Sequence, residues 1–531
     1  MYQAKHTAKA KMKQRKRSNS VFQAAGILMI TMMLSRVLGF VRDIAVTGSF
    51  SVGAQTDAYL AAFTIPDLIY FALVGGALSS AFIPVFSGYL ATKKEEDAYI
   101  VASTILNLVS IAALVLIAIG ILFTPQLVRM LVKFTDETFE LTVLLTRIMF
   151  AQSFFMCLAG ISQGILQSYK EFAAPAFGAV VYNIAIIVIG LLLQQKLGIM
   201  AFTIGVVIGA ALNLAMQIQA MVRYQFRYRL ILDLHHPGVK KFFLLFLPVV
   251  LGLSMNELNL LVSQNLASGL AEGTVTALKQ AQRVMMLPVG IFAAAIGLSI
   301  FPTMTSHVAR GEIDAYKQNL TMGLRTIIFI TLPASVGLMV LSYPVVRAMY
   351  LQLAVTEAQA ELISVCLVFY CIGIVGYSAQ QVLNRGFYAV QDTKSPVAIN
   401  VFVLLFNIIL SMILVKTMEH RGLALAYSLS GLLSMVVLGL GLRKKIGSFG
   451  GKALLKSAMQ SIVASAVMGV FVYFTAIGLE QILDVSSKVM QIVQVLVSVG
   501  VGVAAYTIMV IAMKMEEAQQ VLKIIKRKLC R

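Results

Sequence analysis

Residues 21–34 read VFQAAGILMITMML, and residues 35–59 continue with SRVLGFVRDIAVTGSFSVGAQTDAY before the chain becomes apolar again. An apolar run of about 20 residues can cross a hydrocarbon layer of roughly 30 Å as a helix. A helix suits this setting because it satisfies its own backbone hydrogen bonds without water. The two stretches therefore predict a membrane-spanning helix that carries charged side chains, beginning with Arg36.

The composition extends this interpretation to the whole chain. Of its 531 residues, 59% are hydrophobic and 12% are charged, and the mean hydropathy is +0.87. Ordinary soluble proteins carry about 25% charged residues. The sequence thus predicts an all-α integral membrane protein with about 14 transmembrane helices. The predicted spans are 22–47, 58–90, 98–123, 139–168, 175–194, 199–222, 240–266, 275–307, 315–344, 358–390, 396–417, 421–442, 454–479 and 488–513.

Basic residues predict the orientation of these spans. Residues 1–20 contain seven Lys or Arg and no acid, and the loop after the sixth span, residues 443–445 and the C-terminal tail are also basic. Even numbers of spans separate these segments, so the positive-inside rule places both termini in the cytoplasm. The net charge of +20 is then mainly topological. The basic tails are expected to attract anionic lipids rather than nucleic acid.

The sequence also repeats itself weakly, with a period of about 220 residues. Four pairs of positions share this spacing: Pro175 with Pro396, Pro66 with Pro288, Pro84 with Pro302, and Asp97 with Asp314. The segments around the first pair, 168–183 and 389–407, both end in an asparagine. Six spans separate the members of the span-two and span-five pairs, so the two halves keep the same orientation in the membrane.

This repeat predicts two pseudo-symmetric six-helix lobes around a central cavity, followed by two C-terminal helices. The predicted parts are an N-terminal tail at 1–20, an N-lobe at 21–225, a C-lobe at 226–445, spans 13 and 14 at 446–515 and a C-terminal tail at 516–531. Twinned lobes around a cavity are typical of transporters. A duplicated scaffold without transport is the alternative.

Charged residues inside the spans predict a binding site. A charge at mid-membrane costs roughly 2.5–3.5 kcal/mol and usually faces a protein interior or a watery cavity. Arg36 and Arg42 lie in the first span and Arg283 lies near the start of the eighth. Because guanidinium groups match phosphate oxygens, these arginines predict an anion site at the cavity, with snorkelling to lipid headgroups as the alternative. Asp43 and Asp57 are the predicted ion-pair or gating partners.

Other ionisable residues give weaker signals. Glu257, in the segment SMNELN, is either a site for a coupling cation or proton or a solvated acid near the cavity. For Arg147 and Arg325, snorkelling or local pairing is favoured over a substrate role. No metal-ligand spacing, cofactor motif or catalytic arrangement stands out. The sequence therefore predicts neither an enzyme nor a cofactor or metal site.

Five segments resemble, in the same order, those of the MurJ (MviN) family of lipid II flippases, within the multidrug/oligosaccharidyl-lipid/polysaccharide exporter superfamily. They are SRVLGFVRD at 35–43, TDAY at 56–59, GGALSSAFIPVF at 75–86, QRVMMLPVGIF at 282–292 and FYAVQDTKSPV at 387–397. The likeness covers nearly the whole chain, and the first motif is the most specific. It implies a multi-pass flippase of the bacterial cytoplasmic (inner) membrane that moves an undecaprenyl-diphosphate-linked peptidoglycan precursor, lipid II, to the outer leaflet.

Matched motif by motif, the resemblance assigns the diphosphate to Arg36, Arg42 and Arg283, and it associates Asp57 with the first-lobe arginines. It further implies a polyprenyl-diphosphate glycolipid as partner, with the cell-wall synthesis machinery as a further one. No cofactor is implied. The sodium site described for some family members has no residue-by-residue match here.

The chain departs from the family pattern at Tyr70, Phe71 and Gly75, where relatives often have a basic pair and then an acid. Rival functions also stay open. A flippase for another polyprenyl-diphosphate-linked saccharide, such as an O-antigen, teichoic acid or capsule unit, would use the same arginines. A drug or cation antiporter would call for acids in the cavity, and a membrane glycosyltransferase would need a catalytic acid or a metal site.

Overall fold

The computed structural model describes residue 31 and residues 33–75, 81–351 and 354–519. Within these ranges the ordered elements are helices, apart from one isolated β-bridge. Ten helices are long and apolar enough to cross a membrane, or eleven when a bent pair of helices is counted as one span. The predicted all-α, multi-pass architecture is therefore confirmed.

The helices follow one another along the described ranges. Those of the first half are α1 (33–50), α2 (Ala54–Ala62), α3 (Thr64–Tyr70), α4 (Ile83–Ala91), α5 (Glu95–Leu122), α6 (Thr124–Leu131), α7 (Asp136–Ser168), α8 (Ala173–Leu197) and α9 (Met200–Arg223). Those of the second half are α10 (Pro237–Ser268), α11 (Thr274–Pro288), α12 (Ala294–Ala309), α13 (Ile313–Val340), α14 (Ser342–Tyr350), α15 (Glu357–Cys371), α16 (Ile374–Ala389), α17 (Lys394–Ile446), α18 (Gly451–Ile482) and α19 (Lys488–Ala512).

Among the described residues, two five-residue π-helical segments interrupt the second and eighth predicted spans. They are Phe71–Gly75, after α3, and Val289–Ala293, between α11 and α12. Pro66 and Pro288, which belong to the internal repeat, precede them closely. Proline removes a backbone donor from a helix, and short π-helical turns often occur at functional sites. The paired segments thus share a structural irregularity as well as a sequence pattern.

The longest helix, α17, contains 53 residues. At about 1.5 Å per residue, such a helix would be more than twice as long as the hydrocarbon layer is thick. Glu419 breaks it, because its φ of 50° and ψ of −128° are not helical. The break falls between the predicted spans 396–417 and 421–442, so α17 has the length of two spans joined by a tight turn.

The described chain forms two compact units. The first comprises the described residues up to Val46 together with Ala58–Glu257. The second comprises Thr47–Asp57 together with the described residues from Leu258 onward. Thr47–Asp57, called the connecting segment below, therefore packs in the second unit although its neighbours on both sides in sequence belong to the first.

Hydrogen bonds explain why the connecting segment belongs to the second unit. The Ala354 amide donates to the Gly48 carbonyl at 2.8 Å, and the Gln359 side chain donates to the Val52 carbonyl at 2.7 Å. These two acceptors are backbone atoms, and the side chains of Thr47, Ser51 and Asp57 add further hydrogen bonds to the second unit. No local sequence pattern signals this arrangement.

Within the second unit, two arginines on α13 and α14 bond to α18, to α19 and to the residues that follow α19. Arg347 on α14 donates to Glu480 at 2.7 Å and to Gln494 at 2.8 Å. Arg325 on α13 donates to Glu517 at 2.7 Å, just beyond the end of α19, and also to Glu516. Arg325 therefore makes the local pairs that the sequence favoured over a substrate role.

Candidate functional site

α1 carries two of the three predicted substrate arginines, in different surroundings. Arg36 is exposed, whereas the side chain of Arg42 is only 16% exposed. A guanidinium that is withdrawn from solvent in this way needs an anionic or hydrogen-bonding partner. The structure provides both kinds to Arg42.

Arg42 is held by a carboxylate and an amide within the first unit. Its Nε and Nη2 donate to Oδ1 of Asp43 at 3.1 and 3.0 Å, and its Nη1 donates to Oδ1 of Asn183 at 3.2 Å. Asn183, on α8, is itself anchored because its Nδ2 donates to the Ala179 carbonyl at 3.0 Å. Sequence reasoning missed Asn183 as a partner, although the asparagine that ends the repeated segment was a usable signal.

This arrangement fixes the orientation of the Arg42 guanidinium without using all of its hydrogen-bond donors. A guanidinium has five N–H donors, and the three hydrogen bonds to Asp43 and Asn183 use three of them. These bonds leave one N–H group on Nη1 and one on Nη2, and guanidinium N–H groups pair well with oxyanions such as phosphate. Asp43 is buried and balances the charge of Arg42.

Asp57 has a different set of partners, all in the second unit. Its carboxylate accepts hydrogen bonds from the Gly273 amide at 2.8 Å, from the Thr276 amide at 2.7 Å and from the Thr276 hydroxyl at 2.6 Å. These donors lie at the start of α11, where backbone N–H groups lack partners within the helix. Asp57 therefore caps α11 from a distant part of the sequence. Its pairing with Arg36 or Arg42 stays a prediction.

Gly273 makes this cap possible. It precedes α11 with a φ of 85°, and a Cβ at this position would lie 2.8 Å from the Val52 carbonyl oxygen. Glycine adopts positive φ without steric cost and lets the backbone approach closely. Since glycine has no side chain, it cannot cap the helix itself, and Asp57 supplies the missing acceptor.

Arg283, the third predicted arginine, is half-buried on α11. The same helix carries Gln280, which donates to Thr47 of the connecting segment at 2.7 Å and accepts from the Tyr350 hydroxyl at 2.9 Å. The position of Arg283 therefore depends on a helix that the connecting segment holds at two points, Thr47 and Asp57.

Glu257 lies on α10 and is partly exposed. Its assignment to a coupling ion stays a prediction. Across the part of the chain that the structure describes, no group of three or more His, Cys, Asp or Glu side chains could hold a metal ion.

The segment where the family pattern is broken is partly buried: Val74 lies in the apolar core, Tyr70 and Phe71 are half-buried, and Gly75 is exposed. A Cβ at Gly75 would lie 2.7 Å from Cδ2 of Phe71, so the phenyl ring covers this glycine. Tyr70 and Val74 face Gly160, where a Cβ would lie 2.3 Å from Cγ1 of Val74. Val74 and Tyr70 therefore pack together against α7.

Sequence comparisons identify similar proteins over most of the chain. A model of the family described as lipid II flippase MurJ matches residues 46–494. The lipid II flippase MurJ of Burkholderia cenocepacia is 28% identical over 463 residues, which cover 84% of this chain and 89% of that protein. The probable lipid II flippase MurJ of Vibrio cholerae is 31% identical over 435 residues, which cover 79% of this chain and 82% of that protein.

Solved structures agree with this result. A lipid II flippase MurJ in an inward closed conformation superimposes with a TM-score of 0.77 at 26% identity, covering 95% of this chain and 99% of that chain. An inward-facing MATE-family multidrug resistance transporter of the MOP superfamily gives a TM-score of 0.64 at 15% identity, covering 82% of this chain and 99% of that one. The second likeness shows a shared fold alone.

Proposed function

The chain belongs to the lipid II flippase MurJ family, and from this premise we propose that it moves lipid II from the inner to the outer leaflet of the cytoplasmic membrane by alternating access. In each cycle an inward-open cavity takes up the headgroup while the polyprenyl tail stays in lipid. Closure of the cytoplasmic side then opens the opposite side.

The geometry of Arg42 carries the proposal. Asp43 and Asn183 hold a largely buried guanidinium while leaving N–H groups free to bind an oxyanion. Such groups can replace the water that a diphosphate loses when it leaves the cytoplasm. Arg36 and Arg283 are proposed to contribute further hydrogen bonds to the same diphosphate.

The finer architecture is also part of the proposal. Fourteen spans form an N-lobe at 21–225 and a C-lobe at 226–445 around the cavity, with spans 13 and 14 at 446–515 beside them. The sequence repeat and the π-helical segment in each lobe support this arrangement. Both termini, including the basic tails 1–20 and 516–531, lie in the cytoplasm, where anionic lipids attract them. The cell-wall synthesis machinery supplies and consumes the substrate.

Flipping of labelled lipid II in proteoliposomes tests the function directly. We expect the purified chain to move lipid II and not to hydrolyse a sugar-nucleotide donor. If the protein does not flip lipid II but flips another polyprenyl-diphosphate-linked saccharide, its substrate is instead an O-antigen, teichoic acid or capsule unit. Proton- or sodium-driven efflux of a cationic drug would favour the antiporter.

The membrane potential is expected to accelerate flipping. Outward movement of negative charge gains about 2.3 kcal/mol per charge for each 100 mV of inside-negative potential. The same field draws the emptied cationic site back. The initial flipping rate should therefore rise with an imposed potassium diffusion potential and fall when an ionophore removes it. An unchanged rate would show that the potential does not drive the cycle.

A further inference from the structure

The second unit contains a polar cavity that the proposed function does not yet use. It lies between α10, α11, α15 and α17 and has a volume of about 90 Å³. Its polar lining residues are Asn259, Ser263, Gln264, Lys279, Gln282, Tyr370, Asn407, Ser411 and Tyr427. Eight of the fourteen lining residues carry an amide or hydroxyl group, although apolar atoms make up most of the lining surface, and none of the described lining residues is an acid.

The internal repeat relates this cavity to the Arg42 site. Gln264 follows Arg42 at the same spacing at which Pro288 follows Pro66. Asn407 follows Asn183 at a slightly longer spacing than that of the nearest proline pair, Pro175 and Pro396. The excess is close to one helical turn, so Asn407 stays on the corresponding helix face. The cavity is therefore the second-lobe counterpart of the arginine–asparagine pair, with a neutral amide in place of the guanidinium.

The hydrogen-bonding groups of the cavity fit a neutral ligand that both donates and accepts. An Asn or Gln side chain has an N–H₂ donor and a carbonyl acceptor, which together complement another amide. The Nδ2 of Asn407 already donates to the Ser430 hydroxyl at 3.1 Å, and Gln282 is hydrogen-bonded to Tyr427. Oδ1 of Asn259 is buried and has no hydrogen-bond partner in the described chain, so it is a ready acceptor. The rings of Tyr370 and Tyr427, 5.4 Å apart, add an apolar wall.

The size of the cavity and its place on α11 define which part of a ligand can enter. A volume of 90 Å³ corresponds to about three water molecules, which is the scale of an acetamido group. Lys279 lines the cavity, and Arg283 follows it by one turn on the same face of α11, about 6 Å along the axis. A diphosphate bound at Arg283 would therefore place the sugar attached to it beside the cavity.

We propose that this cavity is a headgroup subsite that binds the acylamino group of the sugar next to the diphosphate. Lys279 supplies a cation between the two subsites, and the amides read the acyl group. The proposal rests on the proposed function, because it takes Arg283 as a diphosphate ligand. A bare cation is a poor occupant, since the lining offers a lysine and no carboxylate.

The test compares two soluble probes that share a nucleoside diphosphate and differ at one group. Binding of UDP-N-acetylglucosamine and UDP-glucose is measured by calorimetry on the full chain in lipid nanodiscs. We expect the acetylated probe to bind about tenfold more tightly, the value of about one well-made hydrogen-bonded contact. Asn259→Leu and Gln282→Leu should remove this preference while leaving UDP-glucose binding unchanged, whereas Lys279→Gln should weaken both probes equally.

Asn319→Leu is the matched control, because Asn319 bonds the Ala315 carbonyl of its own helix, α13, away from the cavity. It should keep the preference. Equal binding of both probes by the unaltered chain, or a preference that survives in both cavity variants, would overturn the subsite. So would a preference that disappears when sodium is replaced by potassium, because the cavity would then hold a cation. Lipid II flipping is assayed in parallel. Flipping without any preference between the probes would contradict the subsite but not the proposed function. A preference without flipping would contradict lipid II as the substrate but not the subsite.

Discussion

Replacing Arg42 by alanine, together with Asp43→Asn, is expected to lower the rate of lipid II flipping about 30-fold or more in a chain that still folds. The charge pair that is lost is the one between Arg42 and the diphosphate. Truncating one partner of a buried, hydrogen-bonded charge pair typically costs about 2–5 kcal/mol of binding, and the lower value corresponds to a factor of roughly 30. The double change is needed because Arg42→Ala alone would leave the buried Asp43 carboxylate without its ion pair. Such an uncompensated charge would destabilise the fold.

Two further variants separate binding from folding. Arg42→Lys keeps the charge but replaces the planar fork by a point charge, so it should retain the fold and only part of the activity. Arg129→Ala removes an arginine that lies over the Phe139 ring, 5.1 Å from its centroid, and should leave flipping unchanged. The measurement is initial rate in proteoliposomes, with melting in detergent as the check on folding. Full activity in the folded double variant would mean that Arg42 is structural.

Asp57→Ala is expected to destabilise the second unit by about 3 kcal/mol, because three hydrogen bonds to a carboxylate are lost and their donors stay buried. Asp57→Asn should lose less stability, since the side-chain amide oxygen of asparagine can still accept hydrogen bonds from the Gly273 and Thr276 backbone amides. Thermal unfolding of the purified chain gives the overall effect. Hydrogen exchange in the first turn of α11 should show the local loss of protection.

The relative stability of Asp57→Ala and Asp57→Asn distinguishes helix capping from ion pairing. If the function of Asp57 were to pair with an arginine, the neutral asparagine would be as harmful as alanine, and the exchange of α11 would not change. Asp136→Ala is the matched control, because Asp136 is an exposed acid in the first turn of α7. It should have little effect on melting.

The sequence was sufficient for the helical architecture because lipid leaves few alternatives to an apolar helix. It also selected Arg42 and Asp43 as candidates because both are costly to bury, and the structure shows that these adjacent residues form an ion pair. It did not reveal that Asn183, 141 residues away, completes their hydrogen bonding. The repeat marked this asparagine as a recurring feature, but a sequence repeat does not indicate which side chain an asparagine will contact.

Asp57 shows a different limit. Helix caps are predicted from the residue that directly precedes the helix. Here that residue is Gly273, and the acceptor comes from a position 216 residues earlier. A glycine just before a helix, with no capping side chain of its own, is therefore a signal to look for a remote acceptor. The packing of the connecting segment has no such signal, because two of its acceptors are backbone carbonyls and the partners of Thr47 and Asp57 lie 233 and 216 residues away.

The path of the connecting segment also decides how the chain could be divided into pieces. A cut in the loop between α9 and α10 separates the two sequence repeats, yet the piece that follows would lack Thr47–Asp57. Its α11 would begin with unpaired amides, and Gln280 would lose Thr47. The second repeat is thus not self-sufficient, and complementation would require the first piece, or a peptide spanning Thr47–Asp57, to be supplied in trans.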